Sequence, residues 1–76
     1  MFKEKDFNDF ISKMEEGINE NTKFYGDTWK KEDIDFLEHR LQLKYKEFMM
    51  TKKPSKLISL SNLAMMLYIR KINKGD

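Results

Sequence analysis

Apolar side chains return every three or four residues in the first part of the chain, which is the period of one helix face. The spacing is i, i+3, i+4, i+7 and i+11 for Phe7, Phe10, Ile11, Met14 and Ile18. Asp6 is placed to cap the start of this helix, and Gly17 weakens its end. The pattern therefore predicts a first helix over residues 6–18 and a connection over residues 19–31.

Two further helices are predicted on either side of a proline. The second covers residues 33–51, with Asp33 as its N-cap, because apolar positions recur there in helical register. Pro54 ends it, since proline disfavours helical geometry in the residue before it. Ser55 is then a candidate N-cap for a third helix over residues 55–73.

The third helix carries apolar residues on nearly all of its faces. A helix of that kind is buried on most sides and therefore central. Because two amphipathic neighbours do not cover it, we expect an all-α three-helix bundle, one domain over residues 1–76, completed by oligomerisation. The simplest form is a dimer through the third helix. The expected core consists of Phe10, Met14, Leu37, Leu41, Tyr45, Phe48, Leu60, Leu63, Ala64 and Leu67.

Composition narrows the class of protein. The chain has no cysteine, which excludes disulfides and thiolate sites and fits a reducing, cytoplasmic location. Charged residues make up 37% of the chain and leave a formal net charge of only +2. The longest charge-free stretch, residues 57–69, is too short to cross a membrane, and the charged N-terminus lacks the apolar region of a signal peptide. We therefore expect a cytoplasmic protein without a membrane segment.

Basic residues are concentrated near the two ends of the third helix, at positions 52, 53 and 56 and at positions 70, 71 and 74. Nucleic-acid-binding proteins carry such charges as one patch or stripe. Because the two groups are separated by the length of the helix, we expect no single patch. Binding of nucleic acid is therefore an alternative rather than the leading hypothesis.

Three short motifs follow one another along the second half of the chain and the segment before it. They are Gly26-Asp-Thr-Trp29, then Arg40-Leu-Gln-Leu-Lys-Tyr-Lys-Glu47, then Ser59-Leu-Ser-Asn62-Leu-Ala-Met-Met66. Between Lys23 and Arg70 the chain resembles the MazG-like all-α nucleoside triphosphate pyrophosphohydrolases. In that family, carboxylates from two facing helices hold Mg²⁺, which binds the nucleotide phosphates and supports attack by water.

The resemblance places the four family carboxylates at Lys44, Glu47, Lys56 and Ser59, so Glu47 alone is retained. Mg²⁺ requires hard oxygen ligands, and two lysines at these positions repel a divalent cation at close range. We therefore expect no catalytic residue, no metal site and no cofactor. Glu47 is the one retained candidate ligand if Mg²⁺ binds at all.

The leading hypothesis is a non-catalytic helical oligomer that binds a protein partner, or an anion or nucleotide. The candidate anion or nucleotide site consists of Lys44, Glu47, Lys56 and Trp29, with the two lysines taking the place of the metal. Trp29 either packs in the core or contacts the ligand. Two alternatives are an Mg-dependent nucleoside triphosphate pyrophosphohydrolase with an unconventional site, and a small basic nucleic-acid-binding protein.

Overall fold

The described part of the chain is a three-helix arrangement. A computed structural model gives residues 3–25 and 28–73, and the side chains of residues 21–25 are outside this description. The helices are α1 (Glu4–Tyr25), α2 (Ile34–Thr51) and α3 (Pro54–Asn73), and a short 3-10 turn covers Thr28–Lys30. No strand occurs in the described residues. The predicted all-α class with three helices is confirmed.

The first helix is longer than its sequence pattern predicts. The structure continues α1 to Tyr25, so the expectation of a connection from residue 19 is wrong for residues 19–25. Gly17 does not end the helix, because it lies where α1 crosses α3. A Cβ on Gly17 would stand 3.8 Å from Ile58 Cγ2. Packing against α3 outweighs the low helix propensity of glycine.

The break between α2 and α3 is short and well defined. Lys52 adopts the left-handed conformation with φ 58°, and its N–H donates a 2.7 Å hydrogen bond to Phe48 O. This geometry ends α2. The third helix then begins at Pro54, the first helical position, where the missing N–H of proline has no cost. The assignment of Ser55 as N-cap is therefore wrong, since Ser55 is already the second residue of the helix. Asp33 precedes α2, but its side chain makes no capping hydrogen bond.

Helix α3 is central, as its apolar composition predicts. It packs against α1, α2 and the 3-10 turn, whereas α1 and α2 make few contacts with each other. The buried apolar residues are Leu37, Leu63, Met66 and Leu67, with Ile18, Trp29, Ile34 and Leu41 packed against them. Because α1 and α2 both pack on α3 and make few contacts with each other, a gap remains between them.

The predicted core is right at the centre and wrong at the periphery. Leu37, Leu63 and Leu67 are buried, and Met14, Leu41, Phe48 and Leu60 are half-buried. Phe10, Tyr45 and Ala64 are exposed, so these three predictions are wrong. Phe10 lies near the start of helix α1 and Tyr45 lies late in helix α2, and their side chains are 39% and 54% exposed. Ala64 is on the side of α3 that faces away from both.

That side of α3 forms an apolar stripe, which we call the outer stripe. It runs along the helix at positions 57, 64, 65, 68 and 72, a spacing that keeps one face. Leu57, Tyr68 and Ile72 are exposed, with Tyr68 at 65%. The opposite side of α3 carries the buried Leu63, Met66 and Leu67. Of the helices in the described residues, none is both long enough and apolar enough to cross a membrane.

Candidate functional site

A pocket of about 590 Å³ occupies the gap between the helices. Its volume is in the range of small-molecule sites in proteins. We call it the inter-helix pocket. All three helices and the 3-10 turn contribute to its wall. The lining residues include Gly17, Glu20, Trp29, Glu32, Arg40, Lys44 and Asn62.

The floor of the inter-helix pocket contains a buried amide. Asn62 on α3 is 4% exposed and is the one buried polar residue in the described core. Its Nδ2 donates a 3.1 Å hydrogen bond to Met14 O on α1, which ties the two helices together. Its Oδ1 is fully buried and has no hydrogen-bond partner among the described residues. Buried polar atoms are rarely left unpaired, so this oxygen is a feature that requires an explanation.

A second unpaired acceptor comes from the segment before α2. Glu32 Oε1 forms an ion pair of 3.7 Å with Arg40 Nη1. The other carboxylate oxygen, Oε2, is buried and has no partner within the described part of the chain. Asn62 and Glu32 both line the pocket, but these two oxygens are themselves buried away from solvent.

Arg70 fixes the position of that wall. Its Nη1 donates 2.7 Å hydrogen bonds to the carbonyl oxygens of Trp29 and Glu32. Within the segment, Glu32 N–H also donates to Thr28 O at 3.0 Å. A guanidinium that bridges two carbonyls makes charge-assisted bonds, which are stronger than neutral ones. The 3-10 turn is therefore held against α3 by a side chain from the last turn of α3.

Two cations of α2 line the inter-helix pocket. Arg40 and Lys44 are four residues apart and so lie on one face of the helix. Both side chains are about one-third exposed, and each is also paired with a carboxylate, Arg40 with Glu32 and Lys44 with Glu47. Trp29 lines the same pocket and also packs against the core, so both interpretations of this residue are consistent with its position.

Lys44, Glu47 and Lys56 are brought together in the structure. Glu47 Oε1 lies 3.4 Å from Lys44 Nζ and 3.0 Å from Lys56 Nζ, the latter reaching across from α3. The hydrogen bond from Lys56 is the main cause that holds the pKa of the Glu47 carboxyl below its ordinary value. Desolvation of the carboxyl raises its pKa and so opposes this shift. The charges of both lysines lower the pKa further. Glu47 is thus a compensated carboxylate between two ammonium groups.

These residues do not fit a bound Mg²⁺. The retained carboxylate is already engaged by two cations, which repel a divalent ion. In the described residues, no three His, Asp or Glu side chains come together in a group that could hold a metal ion. The arrangement that is present offers two cations and an aromatic ring in one pocket, which together are suited to binding a small anionic molecule.

The sequence-based site is therefore divided by the structure. Trp29 and Lys44 line the inter-helix pocket, whereas Glu47 and Lys56 do not. Arg40, Glu32 and Asn62 belong to the pocket but were not predicted. The helical spacing of Arg40 and Lys44 is a signal that could have identified Arg40. Glu32 and Asn62 gave no such signal, because their roles depend on how the helices are arranged.

In comparisons with known proteins, no family model, curated protein or solved structure matches the chain. The resemblance to the MazG-like enzymes therefore stays a prediction that rests on the quoted motifs.

Proposed function

We propose that this protein is a non-catalytic binding module that takes a nucleotide-sized anion in the inter-helix pocket. The single observation that supports it is the presence of Arg40, Lys44 and Trp29 in the wall of one pocket. Arginine binds phosphate oxygens in a fixed fork and lysine binds them as a point charge. A tryptophan ring beside such cations provides a flat surface for a base.

Binding without metal is part of the proposal. Lys44 and Lys56 replace acids where the resembled enzymes hold Mg²⁺, and here they neutralise Glu47. The phosphate charge is then met directly by protein cations. The pocket is therefore expected to bind its ligand equally well in the presence of a chelator.

The first experiment is a thermal-shift and calorimetric titration with the four ribonucleoside triphosphates and pyrophosphate, in EDTA and in Mg²⁺. We expect the melting temperature to rise in EDTA. The double variant Arg40→Gln, Lys44→Gln should remove the rise, while Lys46→Gln, an exposed lysine of the same helix, should keep it. Full binding by the double variant, or no binding by the native chain, would refute the proposal.

The same samples separate the alternatives. Release of pyrophosphate in the presence of Mg²⁺ would favour the pyrophosphohydrolase. Salt-dependent retention on DNA or RNA at micromolar concentration, without a nucleotide effect, would favour a nucleic-acid-binding protein. Loss of binding in Lys56→Gln as well as in Lys44→Gln would place the anion at the two lysines that flank Glu47, rather than in the pocket.

We also propose that two copies associate through α3. The outer stripe leaves Leu57, Tyr68 and Ile72 exposed on the side of α3 opposite its buried residues. An apolar helix face of this length is rarely left in water, and its repeat suits packing against another helix. A cytoplasmic location remains part of the proposal and is supported by the absence of cysteine from the sequence.

A further inference from the structure

The positive charge of the chain is concentrated where α2 turns into α3. The whole sequence has 15 lysine and arginine side chains and 13 acidic ones. Residues 44–56 hold five of those lysines and one glutamate, so the remainder of the chain has ten basic and twelve acidic side chains. The formal net charge of +2 therefore arises entirely in this segment. We call Lys46, Lys52, Lys53 and Lys56 the basic corner.

The four lysines of the basic corner lie close together because the turn is short. Lys52 and Lys53 are the two residues between α2 and α3. Lys46 is six residues before the turn, or about 9 Å along α2, and Lys56 is in the first turn of α3. The ammonium of Lys56 is paired with Glu47 at 3.0 Å. The other three lysines are exposed and have no ion pair within the described part of the chain.

Helix stability does not account for the basic corner. A cation is favourable at the C-terminal end of a helix and unfavourable at the N-terminal end. Lys52 is the C-cap of α2 and so meets the negative end of that helix. Lys53 and Lys56 lie instead at the positive end of α3, whose first turn has no acidic residue. This arrangement is better suited to an anion from outside the chain than to the fold itself.

Two exposed methionines lie among these lysines. Met50 is 85% exposed, more than any other large apolar side chain of the described residues, and Met49 is 46% exposed. Both are in the last turn of α2, within three residues of Lys52. None of residues 45–53 lines the inter-helix pocket, so these side chains project from the end of the bundle. The basic corner therefore combines positive charge with an apolar tip.

We propose that the basic corner docks on an anionic lipid surface, with Met50 and Met49 entering the boundary between headgroups and acyl chains. Lysine ammonium groups are attracted to acidic headgroups, and their aliphatic stems reach across the interface. Charge and a small inserted apolar area are two weak signals, which together give reversible binding. This contact needs no helix that spans the membrane, and it uses none of the residues assigned to the anion in the inter-helix pocket.

The same charges would also attract the phosphates of a nucleic acid, and two features favour lipid. Residues 44–56 contain no arginine, the residue whose planar fork suits phosphates and base edges. The exposed Met50 gains nothing from an aqueous polyanion, whereas transfer into hydrocarbon is favourable for an apolar side chain. Lipid is the partner that uses both the lysines and the methionine.

The test is cosedimentation of the full chain with vesicles at physiological ionic strength. One set is pure phosphatidylcholine and the other is an equimolar mixture with phosphatidylserine. We expect binding to the mixture alone, weakened by high salt. In the double variant Lys46→Gln, Lys53→Gln the affinity should fall about 30-fold, from about fivefold for each lysine near an anionic surface. Lys31→Gln, Lys71→Gln removes two exposed lysines near Arg70, at the other end of α3, and should keep the native affinity.

Met50→Ser distinguishes lipid from nucleic acid. Because Met50 is 85% exposed, the substitution leaves the fold intact. We expect the affinity for the mixed vesicles to fall about tenfold, since the side chain no longer gains from burial in hydrocarbon. Met50→Leu should restore the affinity. Retention on double-stranded DNA at the same ionic strength is measured for the native chain and for Met50→Ser.

The outcomes separate this proposal from the proposed function. Equal binding to both kinds of vesicle, or binding to neither, would overturn docking on an anionic lipid surface. DNA retention together with a vesicle affinity that Met50→Ser leaves unchanged would overturn it in favour of a nucleic-acid surface. Nucleotide binding in EDTA is measured on the same samples and should persist in Lys46→Gln, Lys53→Gln, because Arg40, Lys44 and Trp29 are intact. Either activity can therefore fail without the other.

Discussion

The glycine at position 17 faces the amide of Asn62: a Cβ built on Gly17 would lie 3.0 Å from Asn62 Nδ2. That amide nitrogen is held by Met14 O, one turn earlier on α1, at 3.1 Å. The missing side chain and the hydrogen bond are parts of one contact, in which α1 comes close enough to α3 for a short side chain to reach the backbone. The floor of the inter-helix pocket depends on this contact.

Gly17→Ala measures how tightly Asn62 is held. Alanine in a helix interior is favoured over glycine by about 1 kcal/mol. In the native chain the new methyl group presses on the anchored amide, so we expect a smaller gain in the free energy of unfolding. In an Asn62→Ala background the full gain should appear. Urea unfolding of the two single variants and the double variant gives the coupling. Equal gains in the free energy of unfolding in both backgrounds would mean that the Asn62 amide moves aside without cost.

Arg70→Met removes the hydrogen bonds from Arg70 to the carbonyl oxygens of Trp29 and Glu32, and it keeps most of the apolar part of the side chain. We expect the free energy of unfolding to fall by about 2 kcal/mol, as for loss of hydrogen bonds to a charged group. Trp29 is the only tryptophan in the sequence and its carbonyl is one of the acceptors, so its emission should also change. The neighbouring variant Lys71→Met should cost less than about 0.5 kcal/mol, because its ion pair with Glu38 is exposed. Similar losses for both variants would argue against a special role for Arg70.

Glu47 gives the protein a contribution to stability that depends on pH. Its pKa in the folded chain lies below the ordinary value of 4.5, chiefly because of the Lys56 hydrogen bond. A depressed folded pKa means that the ionised group stabilises the fold above the ordinary pKa, and that this stabilisation is lost as the pH falls through the folded value. The difference in unfolding free energy between the native chain and Glu47→Gln should therefore shrink on acidification. It should also shrink at neutral pH in high salt, since the pair is partly exposed.

Glu15→Gln is the control for that experiment, because Glu15 lies on the exposed face of α1 and belongs to no ion pair with Lys44 or Lys56. It reports the loss of one carboxylate outside the lysine pair. A difference that grows as the pH falls would contradict the assignment of Glu47 as a stabilising anion.

Tyr68→Glu tests association through the outer stripe. Light scattering after size-exclusion chromatography should give a dimer for the native chain at micromolar concentration and a monomer for Tyr68→Glu. Burial of a carboxylate in an apolar interface without a partner is strongly unfavourable. Tyr45→Glu is matched in chemistry and lies on α2, where Tyr45 is 54% exposed, so that variant should remain dimeric. A monomeric native chain would exclude the interface.

The helices were predictable from sequence because their apolar positions are periodic, and the break at Pro54 is local chemistry. The end of α1 was not predictable, since Gly17, which has low helix propensity, lies against Ile58 and Asn62, 41 and 45 positions later in the sequence. Phe10 and Tyr45 have the correct periodicity for burial but are 39% and 54% exposed. Periodicity identifies the face of a helix, and the arrangement of the helices decides how much of that face is covered.

The candidate site divides in the same way. The meeting of Lys44 with Glu47 follows from their spacing on one helix, whereas the approach of Lys56 depends on how α3 packs against α2. The inter-helix pocket was not predicted, because it exists only where α1 and α2 diverge on α3. Asn62 illustrates the limit. Its amide is buried and half satisfied, and a sequence shows neither property.

The wall of the inter-helix pocket is drawn from positions 17 to 66, so the pocket exists only when all three helices are assembled. In the described residues only four apolar side chains are buried, which indicates a small reserve of stability. A ligand at about one hundred times its dissociation constant adds about 2.7 kcal/mol to the folded state. For a chain of this length that is a large share of the total stability, which is about 4 to 11 kcal/mol. Ligand concentration would then determine how long this protein survives proteolysis. The amount of protein would follow the fraction of pockets that hold a ligand.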